Sequence, residues 1–265
     1  HGQTHKTEIR SRKSESDIAA AGIEPNSAHS GGEACGALHD DLSSNMETKY
    51  SFRKRLEQVH AFSRDPAASP DPGEAAVDDS WEIVISGRAG PVLATAADDL
   101  RDYFRVAMGV RLRVRETDLC AAACSAAARR ILIGTAEGDP SAGMRRVRPG
   151  VSRILCDGAG IRITGADEKQ AARAGYALER MLTLRKGPFL KAGEWPLVNR
   201  FSPRMVHSGW GLDCFPDAYL RVIAHAGFDS ILVYYKRADA AAPEKIAEVE
   251  DLIRRASRFG LGVYL

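Results

Sequence analysis

The chain has 265 residues, with 37 Lys and Arg against 35 Asp and Glu, and 44% of its residues are hydrophobic. This is the composition of a globular protein, and the nearly balanced charge argues against a dedicated nucleic-acid binder, which carries a clustered basic excess. No run approaches the roughly 18 apolar residues of a membrane span, so no membrane partner is expected. The five scattered cysteines do not indicate a disulfide framework.

Residues 1–75 are predicted to be a disordered tail followed by a linker. Up to residue 45 the sequence is rich in Ser, Gly, Glu and His, and its isolated Ile and Leu cannot form an apolar face. Apolar residues at helical spacing make a short helix plausible over residues 47–63. They are Phe52, Leu56, Val59 and Phe62. The sequence DPAASPDPG at residues 65–73 is typical of a proline-rich linker.

The start of the chain allows two interpretations. It begins with His1, and its first methionine is Met46. The sequence is therefore either an internal fragment or a protein whose native start is Met46. Its first residues contain no apolar stretch and so do not form a secretory signal peptide. The sequence leaves the localisation and the oligomeric state open, and a start at Met46 would predict a cytoplasmic protein.

Residues 81–190 are predicted to form one α+β domain. Hydrophobic periodicity indicates two helices, at residues 91–108 and 167–184. Strands are expected at residues 81–86, 111–115, 130–134, 152–157 and 161–165. The order β-α-β-β-β-β-α predicts helices on one face of a sheet. The inward face of the first helix is expected to consist of Leu93, Ala96, Ala97, Leu100, Phe104 and Met108.

After a predicted loop at residues 186–200, strands alternate with helices. Strands are expected at residues 203–208, 230–235 and 261–265, and helices at residues 216–226 and 243–259. The inward side chains of the last helix are expected to be Ile246, Val249, Leu252, Ile253 and Ala256. A continuous apolar strand such as SILVYY suits a parallel sheet that is covered on both faces. Since such repeats close into a barrel only with eight units, residues 200–265 are predicted to be the incomplete N-terminal part of a (β/α)8 barrel.

Three stretches carry a resemblance to a known family: GPVLATAADDLRDYFRVAMGVRLRV, RILIGTAEG and ILCDGAGIRITGADEKQAARAGYALERML. They resemble the accessory domain, of zincin-like fold, that precedes the barrel in glycoside hydrolase family 20 and in the α-glucuronidases. The later stretches SPRMVHSGWGLDCFPDAYLRVIAHAGFDSILVYYK and RFGLGVYL resemble the opening of the catalytic (β/α)8 TIM barrel in a hexosaminidase-like branch. The resemblance covers residues 81–265.

The resemblance implies the N-terminal fragment of a glycoside hydrolase whose carbohydrate substrate could contain an N-acetylhexosamine. The family's catalytic Asp-Glu pair follows a later barrel strand, so no catalytic residue is assigned in this chain, and the fragment itself is expected to be inactive. No cofactor is implied. The alternative is a non-catalytic α+β module that binds a carbohydrate or a protein.

The substrate-binding candidates lie around the first two barrel strands. Arg204 matches the family position that binds sugar hydroxyls, although the Asp of the family's Gly-x-x-x-Asp pattern is missing at its usual spacing. It could point into the barrel mouth, which is favoured here, or form an ion pair with the accessory domain. The other candidates lie at the carboxyl ends of the strands, where α/β barrels place their active sites. They are His207, Trp210, Asp213, Tyr235 and Lys236.

Several other patterns are interpreted as structural. The paired carboxylates Asp78-Asp79 and Asp98-Asp99 are predicted to be solvated surface charges. Cys120 and Cys124 have no histidine nearby to complete a zinc site, and the H-E-x-x-H ligands of a metalloprotease are absent from the sequence, so no metal is predicted. Residues 158–160, Gly-Ala-Gly, are predicted to form the turn of a hairpin.

Overall fold

The computed structural model describes residues 58–119, 129–137, 150–158, 160–207, 215–233 and 243–265. The residues predicted to be disordered, 1–45, lie outside the described residues, as do Cys120 and Cys124. All described residues belong to one compact unit, Glu47–Leu265. In this part of the chain, no helix is long and apolar enough to span a bilayer.

The described residues in the N-terminal two thirds of this unit form eight strands and two long helices. The strands are β1 (Glu74–Ala76), β2 (Glu82–Ser86), β3 (Arg113–Thr117), β4 (Arg130–Thr135), β5 (Val151–Cys156), β6 (Ile161–Gly165), β7 (Phe189–Lys191) and β8 (Gly193–Val198). The helices are α1 (Pro91–Tyr103), which continues as a π-helical turn at Phe104–Met108, and α2 (Glu168–Arg185). The two helices and β2 to β6 occur within a few residues of the positions that the sequence predicted, whereas β1, β7 and β8 were not predicted.

Six of these strands form a mixed sheet in the order β3-β2-β4-β6-β5-β8. The pairs along β3, β2, β4 and β6 are parallel, and β5 pairs antiparallel with both β6 and β8. The antiparallel pairing of β5 with β6 confirms the predicted hairpin. Both helices cover one face of the sheet, where isoleucines of the central strands pack against buried residues of α1 and α2.

Local sequence explains where the helices begin and end. Pro91 occupies the first turn of α1, where its missing N–H costs nothing. The π-helical turn ends at Gly109, whose φ of 69° is left-handed. Asp167 caps α2 by accepting a hydrogen bond from the Gln170 backbone N–H at 2.8 Å. Gly165 precedes this cap so closely that a Cβ there would lie 2.2 Å from the Ala171 backbone nitrogen.

Two expectations for this region were wrong. Residues 186–200 are not a loop, because β7 pairs with β1 and β8 pairs with β5. Residues 58–63, the described part of the proposed helix 47–63, are not helical. The backbone N–H groups of Ser63 and Arg64 instead donate to the Ala107 carbonyl of the π-helical turn, both at 3.0 Å. The fold therefore includes residues ahead of Trp81 that were predicted to be linker.

The C-terminal third consists of alternating strands and helices. In chain order they are β9 (Met205–His207), α3 (Asp217–His225), β10 (Ser230–Leu232), α4 (Pro243–Arg258) and β11 (Gly262–Tyr264). The strands form a parallel sheet in the order β11-β10-β9. A second hydrophobic core joins this sheet and its helices to the faces of α1 and α2 that point away from the six-stranded sheet. Helices α1 and α2 are thus buried on two faces.

The inward face of α4 is narrower than predicted. Leu252 and Ala256 are buried in the second core, but Ile246 is 50% exposed and Ile253 is 46% exposed. The stripe that α4 buries against its neighbours therefore leaves out two of the apolar side chains that the helical period had placed inside.

Candidate functional site

The carboxyl ends of the three parallel strands form one edge of the small sheet. The register places His207 of β9 and Tyr264 of β11 on either side of Leu232 of β10. The preceding position on each strand packs toward α3 and α4, as buried Ile231 shows. Because side chains alternate along a strand, His207 and Tyr264 lie on the face away from these helices. His207 is exposed, and Tyr264 is 46% exposed.

This edge has the position at which α/β barrels place their substrate sites. A histidine can exchange hydrogen bonds with sugar hydroxyls, and a tyrosine ring can pack against the apolar face of a sugar. Tyr264 was not among the sequence candidates. Its signal was available, because it occupies the end of the third strand just as His207 occupies the end of the first. Four candidates lie outside the described residues: Trp210, Asp213, Tyr235 and Lys236.

Arg204 lies at the opposite end of β9. Its guanidinium donates to the Asn199 side-chain oxygen at 3.1 Å, and its Nε is 3.8 Å from the Asp229 carboxylate. The Arg204 backbone N–H donates to the same carboxylate at 2.7 Å. Asp229 also forms an ion pair with Arg173 of α2 at 3.0 Å. The ion-pair partner of Arg204 is therefore Asp229, which lies just before β10 in the C-terminal segment, and Asp229 links this pair to α2 through Arg173.

A buried polar cluster lies between α1, α2 and α3. His225, at the end of α3, is 2.8 Å from Glu179 through Nδ1 and 3.0 Å from Asp99 through Nε2. Arg221, one turn earlier on α3, forms an ion pair with Asp99 at 2.6 Å. Both carboxylates are buried, with Asp99 4% and Glu179 5% exposed. The prediction that Asp99 is a solvated surface charge was therefore wrong.

His60 adds a second imidazole to this cluster from the segment before β1. Its ring centre lies 5.0 Å from that of His225 and 5.5 Å from that of Tyr103, both in edge-to-face orientation. One ligand atom each from His60, Glu179 and His225 lies within 4.8 Å of the other two. This is the kind of group that can hold a transition-metal ion.

The surroundings of these groups change their proton affinities. Burial raises the pKa of the Glu179 carboxyl above its ordinary value. Burial disfavours charge on His225 as well, but the hydrogen bonds to Asp99 and Glu179 prevail and raise the pKa of that imidazole. Burial and the nearby positive groups His225 and Arg221 lower the pKa of His60 to about 4. His60 is therefore neutral at neutral pH, while His225 is favoured as a cation between two carboxylates.

The positions of Asp99 and Glu179 could have been recognised in the sequence, but only by examining a second face of α1 and of α2. On α1, Ala96 and Asp99 belong to a stripe distinct from the one facing the six-stranded sheet. On α2, Tyr176 and Glu179 repeat the same three-residue spacing. Helix positions three and four apart share a face. An acidic residue on a second, otherwise apolar stripe of each helix indicates a buried polar contact.

Solved structures provide the comparison with known proteins. The chain is similar to the GH20 β-N-acetylhexosaminidase from Streptomyces coelicolor A3(2), with a TM-score of 0.54 and 17% identity over 75% of this chain and 44% of that one. It is also similar to a mutant Streptomyces plicatus β-hexosaminidase in complex with its product GlcNAc, with a TM-score of 0.51 and 15% identity over 78% and 45% of the two chains.

A third similar structure is a family GH115 4-O-methyl-α-glucuronidase with specificity for decorated arabinogalactans. Its TM-score is 0.52 at 12% identity, over 71% of this chain and 29% of that one. No protein-family model and no curated protein matches the sequence. The neighbours are glycoside hydrolases of mixed α/β fold, and at these identities the likeness concerns the fold alone. The chain spans less than half the length of each of them.

Proposed function

We propose that this chain is the N-terminal part of a glycoside hydrolase, formed by an α+β accessory domain and the first strands and helices of a catalytic (β/α)8 barrel. The observation that carries the proposal is the succession of two layers. A mixed six-stranded sheet with two helices on one face is followed by a parallel β-α-β-α-β segment that packs on those same helices. The proposal is supported by the structural similarity to a GH20 β-N-acetylhexosaminidase, which extends over 75% of the chain.

The proposed substrate is a carbohydrate bound at the carboxyl edge of the small sheet. His207 and Tyr264 line this edge on the face away from the helices. Trp210 and Asp213 follow β9 in the sequence, and residues 235–236, Tyr-Lys, follow β10, so loops after parallel strands would bring their side chains to the same edge. We leave Arg204 out of this site because its side chain is engaged with Asn199 and Asp229 at the other end of β9.

The catalytic carboxylates are proposed to lie beyond Leu265. Glycosidases need two carboxylates about 5–10 Å apart, or one carboxylate and an amide of the substrate. Among the described residues, the closely placed buried carboxylates Asp99 and Glu179 both contact His225 and lie under α3, not at the carboxyl edge. An N-acetylhexosaminide is the first substrate to test, because the solved neighbours include β-N-acetylhexosaminidases.

The test compares the 265-residue chain with a protein expressed from the coding sequence extended downstream. Both are assayed with the aryl glycosides of N-acetylglucosamine, N-acetylgalactosamine and glucuronic acid. We expect turnover by the extended protein and none by the 265-residue chain. If the extended protein hydrolyses none of these glycosides while the 265-residue chain binds a glycan or a protein, the alternative of a non-catalytic interaction module holds instead.

A further inference from the structure

We propose that His60, Glu179 and His225 bind one divalent transition-metal ion of the zinc type, at the junction of α2, α3 and the segment before β1. The proposal is independent of the glycoside hydrolase assignment, because the cluster lies between helices and not at the carboxyl edge of the parallel sheet. Two imidazole nitrogens and one carboxylate oxygen form a ligand set that zinc accepts in proteins.

The first argument is that two of the three residues each have a buried polar side-chain atom without a hydrogen-bond partner among the described residues. His60 Nε2 and Glu179 Oε1 are both buried, and neither has a partner within the part of the chain that the structure describes. Glu179 itself is only 5% exposed. Buried polar atoms are costly when they are left unsatisfied. A metal ion bound to both atoms would remove this cost.

The second argument concerns the groups behind the ligands. The Nε2 atom of His225 faces Asp99 at 3.0 Å. Asp99 is held in turn by Arg221 at 2.6 Å and by the Tyr176 hydroxyl, which donates to it at 3.4 Å. A carboxylate behind a histidine is the usual device that fixes the tautomer of a metal-binding imidazole and increases its basicity. With Nε2–H donating to Asp99, the Nδ1 of His225 is left to bind the metal in place of its present contact with Glu179.

Metal binding requires a modest closure of the cluster. Neighbouring ligands of a tetrahedral zinc ion are about 3.3 Å apart, given metal–ligand distances of about 2 Å. The ligand atoms here lie within 4.8 Å of one another. His60 can supply the movement, because residues 58–63 are neither helix nor strand. The backbone hydrogen bonds that attach this segment to the π-helical turn of α1 are made by Ser63 and Arg64, which follow His60 in the sequence.

The experiment titrates the complete chain, stripped of metal by a chelator, with Co²⁺ and then with Zn²⁺. We expect one Co²⁺ per chain, with the visible absorption of a four- or five-coordinate nitrogen and oxygen site and without the charge-transfer band of a cysteine ligand. Zn²⁺ should displace the cobalt. At a hundredfold excess over its Kd, Zn²⁺ should raise Tm by about 5 °C or more.

Variants decide which residues bind the ion. His60→Ala should abolish the cobalt spectrum and the zinc-dependent rise in Tm, and Asp99→Asn should weaken binding by about 10–100-fold. The matched control is His207→Ala, which removes an imidazole at the carboxyl edge and should change neither signal. The signals should also persist when the histidines at positions 1, 5, 29 and 39 are all replaced by alanine.

The proposal is overturned if the wild-type chain binds no Co²⁺, or if His60→Ala retains the stoichiometry and spectrum of the wild type. Should His60→Ala fail to fold, as judged by circular dichroism, His60→Gln provides the same test with a side chain that keeps more of the volume. Loss of the signals only in the variant lacking the four N-terminal histidines would place the metal elsewhere and would equally refute the site.

Discussion

The two ends of β9 differ in what their side chains do. At the amino end, Arg204 and Asp229 are tied to each other, to Asn199 and to Arg173 of α2. At the carboxyl end, His207 is exposed on the face away from the helices, level with Tyr264. In strand-helix repeats, the amino ends of strands serve stability and the carboxyl ends serve chemistry. The contacts of Arg204 and Asp229 agree with a structural role for the amino end, and the placement of His207 and Tyr264 is the basis of the substrate site proposed at the carboxyl end.

The largest expected effect is on stability at the amino end. The Asp229 side chain is 11% exposed, forms ion pairs with Arg173 and Arg204, and accepts hydrogen bonds from the Arg204 backbone and the Ser230 hydroxyl. Asp229→Ala leaves these groups without their acceptor and should cost about 3 kcal/mol of unfolding free energy. Urea denaturation measures this cost.

The matched control for Asp229 is Asp217→Ala. Asp217 is 50% exposed and pairs with Arg255 at 3.0 Å, so its removal should cost at most about 1 kcal/mol. Equal losses for the two variants would show that the amino end of the small sheet has no special role in stability.

The next effect is on activity at the carboxyl end. In the extended protein, His207→Ala should lower kcat/KM at least about tenfold, equivalent to about 1.4 kcal/mol. Its unfolding free energy should change by no more than about 0.5 kcal/mol, because the side chain is exposed. A variant with full activity and reduced Tm would remove His207 from the proposed substrate site.

Arg204→Ala tests whether the amino end of β9 contributes to stability and not to activity. Its side chain is 36% exposed, and it contributes one hydrogen bond and one longer ion pair. We expect a loss of about 1 kcal/mol in unfolding free energy, and a kcat/KM in the extended protein that stays within about threefold of wild type. The exposed neighbour Arg200, changed to Ala, is the control. A tenfold fall in kcat/KM at unchanged Tm would restore Arg204 to the sugar site.

The ion pair between Arg185 and Glu74 provides a reference away from β9. Arg185 donates from Nε and Nη2 to the two oxygens of Glu74, both at 2.9 Å, and lowers the pKa of that carboxyl. A lowered folded-state pKa stabilises the fold above the unfolded value of about 4.3 and ceases to do so as the pH falls through the folded value. Glu74→Gln should therefore cost about 1 kcal/mol at pH 7 and progressively less below about pH 4. A cost that does not vary with pH would contradict this origin.

Sequence periodicity identified most of the stripe of α1 that faces the six-stranded sheet. Five of the six residues predicted for this stripe, Leu93, Ala97, Leu100, Phe104 and Met108, pack there, whereas Ala96 packs in the second core. Periodicity failed at β8, where Pro196 suggested a loop. Pro196 is tolerated because, among the described strands, β8 lies at the edge of its sheet and pairs with β5 alone. The pairing of β1 with β7 was missed because strands of three residues are too short to show a period.

The two candidate sites, the carboxyl edge of the small sheet and the buried cluster around His225, also differ in how well the sequence predicts them. Strand ends could be placed from the sequence, so the position of His207 at the carboxyl end of β9 was predicted, and that of Tyr264 at the end of β11 could have been predicted in the same way. The cluster around His225 could not be placed, because its members come from positions 60, 99, 179 and 225, and only the packing of α3 across α1 and α2 brings them together. The expectation that Asp99 is solvated assumed that a helix buries one face only.

Burial of α1 and α2 on both faces limits how this protein can be divided or recombined. A piece ending after β8 would expose Ala96, Ala172 and Tyr176, and it would leave Asp99 and Glu179 without His225. Such a piece would not behave as an interchangeable module of the kind that can be moved between proteins on a flexible linker. Any exchange of the C-terminal segment would have to preserve the surface of α3 that contacts α1 and α2. The residues on the two sides of this contact are therefore expected to change together in evolution.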